Sequence, residues 1–454
     1  MSFLRRALAA AVLSLAAASA PAFAVEAPQP AAEPLTLERA VQRALQRNFD
    51  QIRVGLLAVQ SESDRATALA TILPRVDLSA SGSENVVRGG NVQFSYFDPI
   101  TGQKINSIVP NQTYPTYSVG VQLRQLVFDG GKWWNNLAAA SAQLAGLRAN
   151  VEEQRLTTVY GTEQRFFELV RQQRQLQVLG DAAARSRDQA GFTQRLFEGG
   201  RATQADVYQA RANRDTDEIN RLAQEARVEV ARQDLAMIIG ADPTQPLTVA
   251  EPPGLQETPP LPGKPAELVQ KALSTRPSLQ AFQLFVEAQR KGLSAAKGDY
   301  YPAVSLVGQY QRNTRDVGDL GMSPDKVGAL SAGVNVSWNL FAGLATNAAV
   351  RRQEQQVLLA ENDLMNGRRG VASDVERAVA QLAAARQEAL VATQAVATSQ
   401  EGLRLARARQ QVGVANQLEV RDAELKLTQS ELARVNALID GRESESALKR
   451  AAGG

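Results

Sequence analysis

Two stretches of this chain, Gly131 to Phe197 and Leu344 to Gln411, hold no proline, few glycines and a dense mixture of Ala, Leu, Arg, Gln and Glu. That pattern predicts long helices at about 131–198 and 344–411, each roughly 100 Å long at 1.5 Å per residue. Within the first, Leu156, Val159, Tyr160, Phe166, Phe167 and Val170 form a helical stripe. Shorter helices are predicted at about 203–239 and 416–450, and in the last of these Leu418, Leu425, Leu432 and Ile439 recur every seven residues. Such stripes are read as coiled-coil packing and not as a ligand site.

Ahead of each long helix the apolar period changes to two. Tyr117, Val119, Val121 and Leu123 alternate with Ser118, Gly120, Gln122 and Arg124. Leu330, Ala332, Val334, Val336 and Trp338 alternate with Ser331, Gly333, Asn335 and Ser337, and Val304, Leu306 and Tyr310 with Ser305 and Gln309. Strands follow at about 75–88, 114–128, 303–313 and 329–341, joined as two hairpins by polar loops, Glu84 to Tyr114 and Asn313 to Lys326. Before each hairpin lies another helical pattern, with Thr36 as cap and Glu38 in the first turn of one, and Pro265 and Glu267 placed equivalently in the other. Asn48 and Pro277 mark breaks within these patterns. A soluble sheet with one wet face would alternate in the same way. A membrane barrel is favoured because the alternation runs for about 9 to 11 positions. Phe128, Tyr301, Trp338 and Phe341 also gather at one end of the strands like an interfacial girdle.

The plan is written twice. Ala40-Val41-Gln42-Arg43-Ala44-Leu45 aligns with Leu268-Val269-Gln270-Lys271-Ala272-Leu273 at a shift of 228 (272 minus 44), and Pro74 meets Pro302 at the same shift. Phe128-Asp129-Gly130 meets Phe341-Ala342-Gly343 at a shift of 213 (341 minus 128), and Gly200 meets Gly413 likewise. One 15-residue insertion (228 minus 213) between Pro74 and Phe128 separates the halves. The reading is therefore a first repeat at 25–242, a linker at 243–264 and a second repeat at 265–454. In the linker, Pro243, Pro246, Pro252, Pro253, Pro259, Pro260 and Pro262 argue against helix or ladder.

Residues 1–24 read as a secretory signal, with Arg5 and Arg6 before an apolar run from Ala7 to Ala18 and small residues at Ala22-Phe23-Ala24, so the mature chain is expected to begin near Val25. The run falls short of the roughly 20 residues of a spanning helix. The net charge of +3 becomes +1 without the two signal arginines (3 minus 2), which gives no support to a nucleic-acid partner. With no cysteine and no histidine, disulfides, the usual zinc sites and His-dependent catalysis are excluded, and no cofactor is implied. There is no phosphate-binding Gly-x-x-x-x-Gly-Lys-Ser/Thr loop either.

The most specific signal lies where each long helix meets its shorter successor. Gly199-Gly200-Arg201-Ala202-Thr203-Gln204-Ala205-Asp206-Val207 reads as glycine stop, short loop, cap and new helix; Gly413-Val414-Ala415-Asn416-Gln417-Leu418-Glu419-Val420 repeats it with Asn416 as cap. The duplicated order of helix, hairpin ending in Phe-x-Gly, long helix, turn and helix resembles the TolC-like outer-membrane factors over essentially the whole mature chain. The resemblance implies a mixed α and β membrane protein. Three protomers would each give four strands to one 12-stranded β-barrel, continued by a long periplasmic coiled-coil barrel. It implies that Glu419 and Asp422 ring the tunnel entrance; the rival role is helix N-terminal stabilisation, which suits Glu419 in a capping box, whereas Asp422 lies too deep for a simple cap. Asp206 is first a cap. Some members lock the entrance with an aromatic and an arginine, where this chain has Gln410 and Ala415; Arg409, Arg421 and the acids are available for another arrangement.

The function so implied is a passive exit duct in the outer membrane, working with a periplasmic adaptor and an inner-membrane transporter in efflux or type I secretion. A soluble periplasmic scaffold would explain the helices but not the hairpins. Paired carboxylates of a glycosidase are a third class, poorly served by acids three apart on one helix.

Overall fold

The computed structural model describes residues 34–88, 93–108, 111–255, 257, 260, 263–320 and 328–454. The expected signal at 1–24, Val25, Pro259 and Pro262 lie outside the described residues. The first half runs α1 (Leu37–Arg47), α2 (Phe49–Ala70), β1 (Arg75–Val87), β2 (Gln93–Phe97), β3 (Lys104–Ile108), β4 (Gln112–Phe128), α3 (Lys132–Glu198) and α4 (Gln204–Ile238). The second runs α5 (Pro265–Thr275), α6 (Pro277–Lys297), β5 (Ala303–Thr314), β6 (Ala329–Ser337), α7 (Ala345–Gln411) and α8 (Gln417–Ala451). Both long helices have 67 residues and both of their successors 35.

The breaks near the start of each half have local causes. Asn48 leaves the helical conformation and its side-chain oxygen accepts from the N–H groups of Asp50 and Gln51, so α1 stops and α2 starts around one residue. Its amide nitrogen donates to the carbonyl of Ile238 at 3.0 Å, which ties this joint to the end of α4. In the second half Pro277 denies α5 a further turn, and Arg276 donates to the carbonyl of Ala451 at 3.3 Å. Each long helix is thus flanked along one part by α2 or α6 and along the other by α4 or α8, with a capped joint between.

The four main strands form one antiparallel sheet in the order β1-β4-β5-β6. The register sorts the side chains largely by polarity, with Arg312 opposite Val119 and Val307 opposite Arg124 as exceptions. Val76, Leu78 and Ala80 pair with Leu123, Val121 and Val119, and Val304 and Leu306 pair with Val336 and Val334, all on one face. The other face carries Ser81 opposite Ser118, Gln122 opposite Gln309, and Ser305 opposite Asn335. Polar contacts such as Asn85 to the Thr116 hydroxyl at 2.8 Å satisfy this second face. β1 and β6 are open edges of the sheet.

Three local expectations need correction. The loop from Glu84 to Tyr114 contains a second hairpin, β2 with β3, closed by an Asp98 turn in which Asp98 accepts from Ile100 N–H and the Thr101 hydroxyl. The last strand stops at Ser337 instead of about 341, because Asn339-Leu340-Phe341 breaks the alternation and the Ala345 N–H already bonds the Ala342 carbonyl in the turn into α7. The proline-rich join is not wholly free of pairing: Leu35 donates to the Thr248 carbonyl at 2.8 Å and accepts from Ala250 at 3.0 Å.

The largest core surrounds the α1–α4 joint. Phe166 and Leu169 of α3 meet Leu235 and Ile239, Ala40 and Ala44 of α1, and Leu35 and Leu255 from the flanking segments. Phe166 is fully buried, with the Phe167 ring edge-on at 6.2 Å. Phe166→Ala is expected to cost about 3–5 kcal/mol in chemical denaturation of the purified protein, whereas Leu359→Ala, on an exposed face of α7, stays within about 0.5 kcal/mol for the monomeric chain.

Candidate functional site

The two helical turns are built alike from different side chains. In the first, Gly200 takes φ of 72°, and the N–H groups of Gly200 and Arg201 return to the carbonyls of Phe197 and Leu196. Gly413, at φ of 77°, closes the second onto Gln410, with Val414 and Ala415 donating to Arg409. Gly199 precedes the first turn as the last helical cap. Thr203 then starts α4 with a full capping box: its hydroxyl accepts from Asp206 N–H at 3.2 Å, and the Asp206 carboxylate accepts from Thr203 N–H at 2.9 Å. These bonds hold the Asp206 carboxyl below its ordinary value. At the second turn Asn416 accepts from Glu419 N–H at 2.9 Å.

The reciprocal half of that second cap is absent. The Glu419 carboxylate turns instead to Arg409 of α7, 3.4 Å away, across the turn itself. Asp422 pairs with Lys426 at 2.6 Å, one helical turn further along α8. Both acids stay well exposed, so the two candidate entrance residues share one end of α8, each with a cation beside it.

Arg421, between them, faces inward and meets Asp217 of α4 through two bonds of 2.6 and 2.9 Å, joining the second hairpin to the first. That hydrogen-bonded contact raises the Arg421 pKa above its ordinary value. Next to it Glu424, 3% exposed, accepts from Arg407 at 2.8 Å. Arg185 of α3 reaches Thr428 at 2.9 Å and Glu431 at 3.5 Å. A cavity of about 150 Å³ among Asp217, Asn220, Arg421, Glu424 and Thr428 completes this polar centre.

Asp217 and Glu424 are the residues that sequence reading passed over. Their signal was nevertheless in the pattern. Ala210, Asp217, Gln224 and Ala231 are all buried and all seven apart on α4, so a carboxylate and an amide stand in core register. Glu424 likewise lies on the buried stripe between Val420 and Leu427. The heptad expected from Leu418 to Ile439 is only partly a core: Ile439 is buried, but Leu418 is 73% exposed, because its end of α8 projects toward the turn with no helix of this chain over it.

The four girdle aromatics lie at the helix end of the sheet. Phe128 pairs with Val304, Tyr301 precedes β5, and Trp338 and Phe341 follow β6. Trp338 donates to the Tyr300 carbonyl at 3.1 Å, and all four rings are exposed. Trp134, stacked on Trp133 with centroids 3.9 Å apart, adds an exposed aromatic at the start of α3 that had not been singled out. No helix among the described residues is long and apolar enough to cross a membrane.

Two measurements follow from this geometry. Asp217→Ala strands a largely buried guanidinium and is expected to cost about 3 kcal/mol by denaturant titration. The double change Asp217→Leu with Arg421→Met recovers most of the loss. The Asp206 contribution, its folded value being depressed, is complete above the ordinary carboxylate value of 3.8 and lost as pH falls through the depressed one. Hydrogen exchange at the start of α4, corrected for intrinsic rate, is expected to show that drop below pH 3.8 and to lose its dependence in Asp206→Asn.

The chain matches the family model described as outer membrane efflux protein in two segments, residues 40–241 and 268–454. It is 27% identical over 341 residues to outer membrane efflux protein BepC of Brucella suis, covering 74% of this chain and 72% of that one. Identity to outer membrane protein TolC of Vibrio cholerae is 24% over 413 residues, 88% of this chain and 87% of that one. In structure it is similar to the CmeC outer membrane channel of Campylobacter jejuni, with a TM-score of 0.77 at 17% identity, covering 92% of this chain and 85% of that channel.

Proposed function

Since the chain belongs to the outer membrane efflux protein family, and so forms an outer-membrane channel that extends into the periplasm, we propose that three copies assemble into one exit duct served by a periplasmic adaptor and an inner-membrane transporter. The observation that carries this reading is the sheet. One face is mainly apolar, the other mainly polar, and both edges are open. In hydrocarbon an open edge is forbidden, so copies must pair β6 to β1 until the sheet closes. Two copies would give eight strands, a barrel about wide enough to be filled by its own side chains. Three give twelve, the smallest closure that leaves a polar lumen. The apolar face then meets lipid, with Phe128, Tyr301, Trp338 and Phe341 at its periplasmic border.

The helices continue the lumen away from the membrane, and the turns at Gly199–Gly200 and Gly413 form its far tip. Adaptor and transporter supply selectivity and energy there, since the duct itself is a conduit and not a catalyst. Glu419 and Asp422 of three copies line the entrance. Because Arg409 and Lys426 stand beside them, the field of this ring is weaker than six bare carboxylates would produce, and exposed pairs of this kind hold one another only loosely.

Single-channel conductance in a planar bilayer tests both levels. Wild type is expected to pass a small cation-selective current; Glu419→Ala with Asp422→Ala enlarges it and lowers its selectivity, while Lys426→Gln raises selectivity. A current indifferent to all three changes removes the ring and keeps the duct. Folded, membrane-inserted protein that passes no current removes the duct.

A further inference from the structure

Several contacts within one half recur at the corresponding place in the other. Residues of α3 and α4 correspond to those 213 later in α7 and α8, and residues of α1 and α2 to those 228 later in α5 and α6. Glu62 meets Arg148 at 3.7 Å, and at the corresponding place Arg290 meets Glu361 at 2.6 Å with the charges exchanged. Gln194 accepts from Arg211, and its counterpart Arg407 donates to Glu424, the counterpart of Arg211. Asn48 bonds the Ile238 carbonyl as Arg276 bonds that of Ala451.

The contacts between the halves have no such partner inside the chain. β4 pairs with β5, and the corresponding pair is β6 with β1, the two open edges. Carried over, Val121 opposite Tyr310 becomes Val334 opposite Gly82, and Leu123 opposite Gly308 becomes Val336 opposite Ala80. Both new pairs keep the apolar face apolar. In the helices, the Phe285 ring of α6 lies so close over Gly146 of α3 that a Cβ there would clash with it. The corresponding residues are Leu57 of α2 and Leu359 of α7, 41% and 63% exposed in the single chain. A glycine under a phenylalanine is replaced by two leucines, a swap that fills a similar space.

Charge is distributed differently. The seam between the halves is pinned by ion pairs: Lys132 with Asp299 at 2.6 Å, Arg276 with Glu153 at 2.9 Å, Arg171 with Asp440 at 2.7 Å and Glu443 at 2.8 Å, Arg185 with Glu431 at 3.5 Å, and Arg421 with Asp217 at 2.6 Å. Burial works against the Arg171 charge, but Glu443 and Asp440 outweigh it. The corresponding positions are Ala345 with Thr71, Asn366 with Asn48, Ala384 with Arg227 and Val230, Thr398 with Glu218, and Ser430 with Tyr208. None of these brings opposite charges together.

Resting on the trimeric reading above, we propose that a second copy of this chain docks α7 against α2 and α4 at these corresponding pairs, Leu359 on Leu57 foremost, along a seam without the ion pairs that lock each copy internally. Each copy is a charge-pinned unit, and the three seams between units lack those ion pairs at the corresponding positions. The seam within a copy is specific because its partners are matched charges. Those between copies take their specificity from the β6–β1 register and from shape.

The chain has no cysteine, which makes cross-linking clean. Leu57→Cys with Leu359→Cys, treated in membranes with a short bismaleimide, is expected to give covalent dimers and trimers. Each single variant, and Leu57→Cys with Leu390→Cys several turns away, gives neither. As a second measurement, Thr71→Asp with Ala345→Lys transplants the Lys132–Asp299 pair and is expected to raise the dissociation temperature of the assembly above the sum of the two single shifts. A trimer by mass that conducts but neither cross-links at 57 and 359 nor responds cooperatively to the transplant overturns this seam and leaves the duct standing. Loss of both trimer and current in the wild type would instead overturn the duct.

Discussion

A backbone in hydrocarbon has no water to bond, and this one rule governs more of the chain than any side chain does. A four-stranded sheet with an apolar face cannot remain a sheet of four in lipid, since β1 and β6 each present a row of unpaired N–H and carbonyl groups. The duplication of the chain is the economical answer. A unit of two strands that can pair with its own copy inside the chain, β4 to β5, already contains the geometry needed to pair with another copy outside it. The one 15-residue insertion (228 minus 213) that distinguishes the halves is spent in the loop holding β2 and β3, which belong to a separate two-stranded sheet and leave the main register undisturbed.

The helices face the opposite problem. Water satisfies their surfaces, but a helix of 67 residues must be held straight beside its neighbours with few large apolar residues per turn. Alanine allows close approach, and wide spacing of true core clusters leaves long intervals in which register is set by polar side chains. There the chain uses arginine. Arg171, Arg185, Arg276 and Arg421 each span two helices and end on carboxylates. A planar guanidinium with several donors fixes both distance and rotation in a way a leucine pair cannot. Such pairs add little net stability compared with apolar packing, yet sliding one helix past another strands a charge, which makes them registry devices.

Sequence alone made most of this visible, for reasons that differ by element. The strands were legible because a wall between lipid and lumen forces strict alternation, as in Leu330 to Ser337. The turns were legible because Gly200 and Gly413 need positive φ and Thr203 and Asn416 must cap. What escaped was whatever depends on a partner far away in the chain. The hairpin of β2 and β3 was hidden because its strands are only five residues each, with a turn made by Asp98. The pairing of Leu35 with Thr248 and Ala250 lay inside a proline cluster that argues locally against any ladder. Asp217 looked like one more charge in a charged helix until its heptad neighbours proved buried, and Leu418 looked like core because periodicity does not say whether a facing helix belongs to the same chain.

The start of α8 joins the two kinds of charge in one short stretch. Glu419 and Asp422 are exposed and loosely countered by Arg409 and Lys426, so the field they set up is open to screening by salt. Arg421 stands between them in sequence, yet it faces away from solvent and is bonded to Asp217. About one turn of helix thus separates exposure from support: the outward carboxylates face solvent, and the inward arginine fixes the angle at which they are presented. Any shift of α8 relative to α4 that re-aims the acids must first extend the Arg421–Asp217 contact. The direction in which Glu419 and Asp422 point is therefore coupled to the Arg421–Asp217 contact, and a charge change at position 217 reaches these acids without touching them.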